Sequence, residues 1–314
     1  MRLSVIITSA YEEKTISQAV EQIIKPNKPL WADMEVLVIA PDNPTLEAAT
    51  KVAAKYSNFN NFHTIKDPAY GKPSAVNMAV DRARGDIVVF TDGDMYIGDS
   101  AIELILKQFE NPDVGGVSGH PISLDDRAGF WGFSSHLFCH GAHSERTRNP
   151  QITPMSGYLY AIKMTNDIKN IFPIQKNLRA EDAYISKRIN KLGYQIAYEP
   201  DALAYVHFPK NLGDWINQKK RSLGGNIQIA QTIQTGAAPE KGRKDKQFGK
   251  NKRSLRQDLS YFYLPFNFAT NPKEYLYALL IYPLRLYLWI IIYIQHTTKS
   301  YSRGTWERIE SSKG

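Results

Sequence analysis

The chain has 314 residues, of which 43% are hydrophobic and 22% are charged. This composition supports a folded core and excludes an intrinsically disordered protein. The formal net charge of +8 indicates an anionic partner, such as nucleic acid, anionic lipid or a phosphorylated ligand. Because Cys139 is the one cysteine, an intramolecular disulfide is excluded as well.

The first 91 residues alternate between strand and helix patterns. Short apolar runs predict buried strands, and apolar residues at helical intervals predict helices between them. The predicted strands cover 3–8, 34–40, 62–66 and 86–91, and the predicted helices cover 12–24, 46–56 and 72–84, with Thr45 as the candidate cap of the second helix. The alternation predicts a Rossmann-like α/β fold, with a mostly parallel sheet flanked by helices and with ligands beyond the carboxyl ends of the strands.

Residues 114–208 have a mixed pattern. We predict strands over 114–119 and 156–162, a helix over 181–192, and two short strands within 194–206 on either side of Pro200. Four side chains between these elements have the spacing of metal ligands: His136, Cys139, His140 and His143. Because no second paired set lies at a suitable distance, we favour aromatic packing there over a zinc site.

The C-terminal part of the chain changes composition twice. We predict a large α/β domain over 1–232, a basic flexible linker over 233–258, and a hydrophobic, aromatic region over 259–314. Between Lys241 and Arg256 there are eight basic residues and one acid, which is typical of a solvated loop.

The apolar stretch 275–294 is long enough to cross a bilayer, although Pro283 and Arg285 at its centre argue against an easy crossing. Basic residues before an aromatic, apolar segment predict a membrane-associated helical region on the anionic cytoplasmic leaflet, either peripheral or a single C-terminal anchor. The alternative is a hairpin of helices buried against the α/β domain or in a homo-oligomer. The N-terminal stretch lacks the features of a secretory signal, so we expect the α/β domain to face the cytoplasm.

Asp92, Gly93 and Asp94 follow the fourth predicted strand, at the edge where ligands bind. Two carboxylates separated by a glycine can face one divalent cation, and Mg²⁺ or Mn²⁺ on Asp94 would neutralise the charge of a diphosphate. The alternative is a solvated turn, since Asp and Gly favour turns. The position after a buried strand favours the metal and diphosphate site.

Side chains after the other strands are candidates for contacts to a nucleotide. Tyr11 and Glu12 follow the first strand, Asp42 follows the second, and Lys72 begins the third helix, where it could approach a phosphate or a base. Each also has an ordinary explanation: Glu12 favours a helix N-terminus, Asp42 begins a turn, and Lys72 is a surface lysine.

Three further candidates lie downstream. Glu181 and Asp182 open a predicted helix, and acids in a first turn are often there only for the helix dipole. His207 ends a strand and could be a third metal ligand, and Arg221 could hold a departing diphosphate.

Together these residues resemble the family 2 glycosyltransferases, which have the A-type glycosyltransferase fold. The matching pieces occur in order over about residues 1–230: 5–12, 71–77, 89–94, 155–157, 181–182 and 218–221. The resemblance makes 1–232 the catalytic domain. It implies metal-dependent, inverting transfer of a sugar from a nucleotide-sugar, with a UDP-sugar favoured, to a hydroxyl of a lipid-linked or glycan acceptor.

The resemblance also implies a role for each candidate residue. Asp42 would bind the base, Asp92 the ribose side of the nucleotide, and Asp94 the metal. Asp182 would be the general base, with Glu181 beside it in the acceptor site. The other expected contacts are Thr8, Ala10, Tyr11, Glu12, Lys72, Gly93, Gln218 and Arg221 for the nucleotide-sugar, Ser156 and Gly157 for the acceptor, and Asp92 and His207 for the metal.

Two departures from the family pattern limit the interpretation. The Trp of the Gln-x-x-Arg-Trp element is Ser222 here, and the usual Asp-Asp-Gly-Ser after the second strand keeps only Asp42. Processive members also carry several transmembrane helices, so we favour single transfers over polymer synthesis.

Three alternatives stay open beside this hypothesis. The first is a polyprenyl-phosphate sugar synthase, whose acceptor would be a phosphate. The second is a sugar-phosphate nucleotidyltransferase, although Ser9 to Glu12 lack the glycines of its phosphate loop. The third, a non-catalytic binder of membrane or nucleic acid, would leave the acids at three strand ends unexplained, so we expect no nucleic-acid partner.

Overall fold

The computed structural model describes residues 1–151, 153–234, 261–297 and 309–312. The strands are β1 (Leu3–Thr8), β2 (Met34–Ala40), β3 (Phe62–Lys66), β4 (Ile87–Asp92), β5 (Tyr96–Ile97), β6 (Val114–Ser123), β7 (Leu159–Lys163) and β8 (Gln195–Val206). The α-helices are α1 (Ile16–Ile24), α2 (Asn43–Ala53), α3 (Lys72–Arg82), α4 (Ala101–Gln108), α5 (Phe130–Arg148), α6 (Asn166–Lys169), α7 (Glu181–Lys191), α8 (Leu212–Gln234), α9 (Leu264–Phe268) and α10 (Pro272–Thr297). The predicted linker, 233–258, lies outside the described residues apart from its first two.

The strands form one mixed sheet in the order β3-β2-β1-β4-β7-β6-β8-β5. β1 pairs in parallel with β2 and β4, β2 with β3, and β6 with β8. β7 is antiparallel to both β4 and β6, and β5 is antiparallel to β8. Six strands therefore run in one direction, and their carboxyl ends meet at one edge of the sheet.

Helices cover both faces of this sheet. Val5 and Ile7 of β1 point into a core shared with α1, α2 and α4, whereas Ile6 points into a second core shared with α3 and α7. Both faces of a central strand are buried. Its sequence is therefore a continuous apolar run and not an alternation of apolar and polar residues.

The predicted strand bounds match closely in the first 91 residues, whereas α1 begins at Ile16 rather than Glu12. β1, β2 and β3 have the predicted limits, and β4 is shifted by one residue. α2 begins at Asn43 rather than Leu46, because Asp42 and not Thr45 is its cap: the Asp42 carboxylate accepts the backbone N–H of Thr45 at 2.9 Å.

The second half of the sheet differs from the prediction. The segment 130–148, which is rich in aromatic residues and histidine, forms a single long helix, α5, and β7 is antiparallel to both of its neighbours. β8 is one strand rather than the two predicted on either side of Pro200. It pairs with β6 before and after Pro200, and the pairing register shifts between these two stretches. A proline is tolerated where the ladder is interrupted, because it has no N–H to donate.

The C-terminal helices pack on the α/β domain. α10 is continuous through Pro283, and it contacts both α5 and α8. Its first turn is fixed by the guanidinium of Arg127, which donates to both carboxylate oxygens of Glu274 at 2.7 and 2.9 Å and to the carbonyl of Phe268 at 2.9 Å. This paired guanidinium is the main reason that the pKa of Glu274 falls to about 2.

Gly85 marks the tightest approach between the α3–β4 connection and β1. A Cβ at this position would lie 2.4 Å from the backbone nitrogen of Ser4 and 2.6 Å from the carbonyl oxygen of Ile87. We expect Gly85→Ala to lower the free energy of unfolding by about 1–3 kcal/mol, because two backbone segments would have to move apart. Urea unfolding followed by circular dichroism measures this loss.

The matched control is Gly98→Ala, where the nearest neighbour of a new Cβ, the Cβ of Leu203, lies at an ordinary 3.6 Å. Its unfolding midpoint should stay close to that of the unmodified chain. Equal midpoints for the two variants would contradict the packing at Gly85.

Candidate functional site

Lys72 lies at the centre of the site, at the start of α3. Its ammonium lies 2.6 Å from one carboxylate oxygen of Asp92 and donates to the other at 2.8 Å. It also lies 3.3 Å from a carboxylate oxygen of Glu181 and donates to the carbonyl of Gly157 at 3.3 Å. One cation therefore joins the end of β4 to the beginning of α7.

The side chain of Lys72 is only 9% exposed, which rules out the alternative explanation of an ordinary surface lysine. Burial alone would lower the pKa of Lys72, but the carboxylates of Asp92 and Glu181 outweigh burial and raise that pKa well above its usual range. The ammonium therefore stays charged at every physiological pH.

Asp92 is held from a second side by β1. The Thr8 hydroxyl donates to Asp92 at 2.7 Å, and the N–H of Gly93 donates to the carbonyl of Thr8 at 2.9 Å. A Cβ on Gly93 would lie 2.4 Å from the hydroxyl of Ser9 and 2.8 Å from the carboxylate of Glu12. The glycine between the two acids is thus required by close packing against the turn after β1.

The turn after β1 is tied to the start of α2. The carboxylate of Asp42 accepts the backbone N–H of Tyr11 at 2.8 Å in addition to that of Thr45. Burial alone would raise the pKa of Asp42, but these hydrogen bonds outweigh burial and hold that pKa below its usual range. Tyr11, at a positive φ of 58°, and the neighbouring Ala10 are exposed, whereas Glu12 is buried. Base binding by Asp42 stays a prediction beside its observed role as a cap.

Asp182 lies beside Glu181 in the first turn of α7. Burial raises the pKa of Asp182 to about 6, and the neighbouring Glu181 carboxylate adds to the rise. The loop before β7 fits closely against it, since a Cβ on Gly157 would lie 2.9 Å from an Asp182 oxygen. Ser156, buried in the same loop, donates its backbone N–H to Ser118 at 2.9 Å. Such a carboxyl can accept a proton near neutral pH.

Asp94 and His207 lie beside a pair of hydrogen-bonded strands. Asp94 is in the turn between β4 and β5, and His207 directly follows β8. β5 pairs with β8 so that Tyr96 is opposite Tyr205, and Met95 packs with Val206 and Phe208. The residue after Asp94 therefore packs against both neighbours of His207, and an acid and an imidazole are donors that suit a divalent cation.

The imidazole of His207 is oriented by Asp125, a residue that the sequence analysis missed. Nδ1 of His207 lies 3.0 Å from Oδ1 of Asp125, whose other oxygen accepts the N–H of Phe208 at 2.9 Å. A carboxylate accepts only, so the hydrogen belongs on Nδ1 and the lone pair of Nε2 is left for a ligand. Carboxylates in this position commonly orient metal-binding histidines.

Few side chains among the described residues are placed to coordinate a metal ion. Within the part of the chain that the structure describes, no group of three or more His, Cys, Asp or Glu side chains is placed to hold one. Asp92, predicted as a metal contact, is bound by Lys72 and Thr8, and its contact with a metal stays a prediction. Asp94 and His207 fit a cation that takes its remaining ligands from phosphate oxygens and water.

Two predicted residues on α8 flank this region. The amide oxygen of Gln218 is buried and has no hydrogen-bond partner among the described residues. Burial is the main cause that raises the pKa of Tyr158; the charge of Asp94 adds to it and that of Arg221 opposes it. Tyr158 therefore lies near both charges, and Arg221 belongs to the same region as Asp94.

The histidines of α5 each contact a different protein group. His136 lies 2.8 Å from the carbonyl of Asp125, His143 lies 2.8 Å from the hydroxyl of Tyr198, and His140 stacks on Phe268. Cys139 is buried with Met95, Val206 and Phe208. Their helical spacing is thus used for packing, as the sequence favoured.

The position of Asp125 after a strand could have identified it as a candidate site residue. Asp125 follows the carboxyl end of β6, as Asp92 ends β4 and His207 follows β8. The predicted strand ended at Gly119, four residues before the observed end at Ser123, so the acid after it did not stand out.

Comparison with known proteins gives a family match. The chain matches the family described as "Glycosyltransferase like family 2" over residues 1–225. Poly-beta-1,6-N-acetyl-D-glucosamine synthase of Staphylococcus epidermidis is 20% identical over 235 residues, which cover 72% of this chain and 55% of the synthase. The synthase of the same name from Staphylococcus aureus (strain COL) is 23% identical over 166 residues, which cover 51% and 39%. The chain thus spans about half the length, or less, of these curated relatives.

Solved structures with the same fold include two glycosyltransferases. The mannosyltransferase PcManGT from Pyrobaculum calidifontis, in complex with GDP-Man and Mn²⁺, has a TM-score of 0.66 at 18% identity, covering 96% of this chain and 88% of its own. Residues 1–349 of TarS from S. aureus, in complex with UDP, have a TM-score of 0.52 at 16% identity, covering 85% and 80%. The likeness confirms the predicted A-type glycosyltransferase fold.

The family match extends from β1 into α8 and contains Lys72, Asp92 and Asp182. The chain therefore belongs to glycosyltransferase family 2.

Proposed function

We propose that this protein is a metal-dependent, inverting glycosyltransferase that transfers a sugar from a nucleotide-sugar, with a UDP-sugar favoured, to a hydroxyl of a lipid-linked or glycan acceptor at the cytoplasmic face of the membrane. The observation that carries the proposal is the Lys72 ammonium between Asp92 and Glu181. It joins the strand end where a nucleotide would bind to the helix that carries a candidate base.

The donor side is supported by charge and by the neighbours. Asp92, Asp94 and His207 lie at the carboxyl ends of β4 and β8, and Arg221 lies near them. PcManGT was solved with GDP-Man and Mn²⁺, and TarS with UDP-GlcNAc. Asp94 and His207 would hold Mn²⁺ or Mg²⁺, which when bound offsets the negative charge that builds up on a leaving diphosphate.

The acceptor side is supported by Asp182. With a pKa of about 6, its carboxyl is mostly ionised at pH 7 and still basic enough to take a proton. The acceptor hydroxyl loses its proton to Asp182 as its oxygen bonds to the anomeric carbon, and the nucleoside diphosphate leaves with the electrons of the broken C–O bond. A single displacement of this kind inverts the anomeric centre.

Lys72 sets the electrostatics of both sides. Replacing Lys72 with Met keeps the length of the side chain but leaves the carboxylates of Asp92 and Glu181 without their cation. We expect the free energy of unfolding to fall by about 3–5 kcal/mol at pH 7.5. Burial raises the pKa of Asp92 and Lys72 opposes that rise, so in the variant the pKa of Asp92 should lie higher still, and the loss of stability should shrink as the pH falls towards 5 and the carboxyl becomes protonated. Urea unfolding at both pH values measures this.

The control is Lys107→Met, which breaks an exposed pair with Glu103 within α4. Its unfolding should match the unmodified chain at both pH values. An equal loss for Lys72→Met at pH 5 and 7.5 would mean that Lys72 acts by packing and not by charge.

Asp182→Asn removes the proposed base and keeps its shape. We expect kcat to fall by about 100–10,000-fold. In the unmodified enzyme the ionised form is active, so kcat/KM should fall as the pH drops through about 6. The assay follows the release of UDP, GDP or dTDP from the corresponding nucleotide-sugars in detergent, with Mg²⁺ or Mn²⁺.

Asp167, an exposed acid in the first turn of α6, provides the matched control as Asp167→Asn and should retain full activity. Near-normal transfer by Asp182→Asn would reject the base and favour a phosphate acceptor, as in a polyprenyl-phosphate sugar synthase.

Metal binding tests the donor side without turnover. Mn²⁺ together with UDP should raise the melting temperature of the unmodified chain, and Asp94→Asn should abolish this shift. Asp125→Asn should weaken Mn²⁺ binding by about 10–100-fold in calorimetry, because His207 would lose its orientation. His63→Ala, at an exposed histidine of β3, is the control and should bind normally. If no nucleoside diphosphate with Mg²⁺ or Mn²⁺ stabilises the unmodified chain, the proposed function is wrong.

A further inference from the structure

α10 has two apolar faces, and among the residues that the structure describes only one of them is covered by protein. Ala278 and Ile281 pack with Phe133 and Leu137 of α5, while Leu288 and Ile292 pack with Trp215, Ile216 and Leu223 of α8. The other face is exposed by 46–71% at nine large side chains: Tyr275, Leu276, Leu279, Leu280, Leu286, Tyr287, Ile290, Tyr293 and Ile294. We call these nine residues the apolar face of α10. Soluble proteins rarely expose so many contiguous apolar side chains.

Two charged residues of this helix, Glu274 and Arg285, lie on its protein side, and a third, Lys273, is exposed in the first turn, where its ammonium lies 5.8 Å from the ring centre of Tyr277. Glu274 pairs with Arg127, and the guanidinium of Arg285 lies 5.7 Å from the ring centre of Phe138 in α5. Residues 275–294 contain no other charge. The apolar face therefore offers an uninterrupted surface without a charged group.

The helix is long and apolar enough to cross a bilayer, by length and composition, over Pro272–Gln295. However, it is held along the catalytic domain at both ends, by Glu274 in its first turn and by Leu288 and Ile292 near its last turns. These contacts extend over about 27 Å of helix axis. A crossing orientation would carry the charges of Arg127 and of Lys219, which lies over Phe138, into hydrocarbon.

We propose that α10 is an in-plane docking helix, which lies flat on an anionic lipid bilayer with its apolar face in the boundary between headgroups and acyl chains. The proposal rests on the membrane location given in the proposed function, and it specifies how the chain is oriented on the membrane. Helices with one apolar face bind membranes in this way.

Charge selects a bilayer over a second copy of the chain as the occupant. The eight basic residues between Lys241 and Arg256 precede the C-terminal helices in sequence, and the whole chain carries +8. Such segments are attracted to anionic lipid, whereas two copies of this chain would repel each other.

The geometry also places the membrane next to the chemistry. α10 packs on α8, and α8 carries Gln218 and Arg221. Packed helix axes lie about 8–10 Å apart, so only one helix layer separates the apolar face from the donor side of the site. An acceptor held in the same leaflet would need to rise only a short distance to reach it.

Vesicle flotation of the full chain tests the docking surface. We expect binding to vesicles of phosphatidylcholine with phosphatidylglycerol that is at least about tenfold tighter than to phosphatidylcholine alone. Leu279→Asp with Ile290→Asp should lose this binding. The control pair, Leu124→Asp with Leu192→Asp, changes exposed leucines of the catalytic domain and should keep it. Hydrolysis of the nucleotide-sugar, measured on the same samples in detergent, should be equal in all of them.

Labelling separates an in-plane helix from a crossing one. Cysteines at Leu276, Leu280, Ile290 and Tyr293 can carry a fluorophore that is quenched by lipids with nitroxides at different depths. Cys139 is buried, and burial raises its pKa to about 12, so it should react little. An in-plane helix gives one shallow depth at all four positions.

The other outcomes each overturn a defined claim. Depths that differ between the ends and the middle of the helix would show a crossing orientation and reject the proposal. Absent vesicle binding with a doubled mass in solution would assign the apolar face to a second copy. Absent binding with intact hydrolysis would reject the docking helix alone, whereas absent hydrolysis in the unmodified chain would reject the proposed function.

Discussion

One buried ammonium determines the arrangement of the site. The nitrogen of Lys72 lies within 3.3 Å of groups on β4, on the loop before β7 and on α7. These elements bring three acids together, Asp92, Glu181 and Asp182, which would repel one another without a cation between them. Lys72 offsets the charge of Glu181, and the Glu181 carboxylate adds to the effect of burial in raising the pKa of Asp182. The ion pair between Lys72 and Glu181 thus influences the proton affinity of the neighbouring Asp182.

The sequence was most informative where local and global requirements coincide. β1 and β2 are covered on both faces, so their apolar runs are continuous and their bounds were predictable. The direction of β7 and the continuity of β8 were not predictable, because pairing partners and a register shift decide them. α5 was missed for a related reason: its helix is stabilised by contacts to the sheet and to α10 and has little apolar periodicity of its own.

The same distinction applies to the site. Asp92 and Asp182 were predictable as candidates from their positions at a strand end and a helix start. The burial of Lys72 was not, since its partners come from other elements and a lysine after a glycine resembles any surface lysine. Asp125 could have been noticed only with the correct end of β6, and the capping role of Asp42 only as one of two open explanations.

The ion pair between Arg127 and Glu274 has a consequence for the choice of acceptor. Because the pKa of Glu274 is about 2, the pair survives any physiological acidity, and α10 cannot swing away from the catalytic domain by losing this charge. If α10 docks on a bilayer as proposed, Asp182 would stay at a constant height above the lipid plane. For the proposed lipid-linked acceptors, the length of the polar spacer between the lipid tail and the acceptor hydroxyl would then determine which of them reach Asp182.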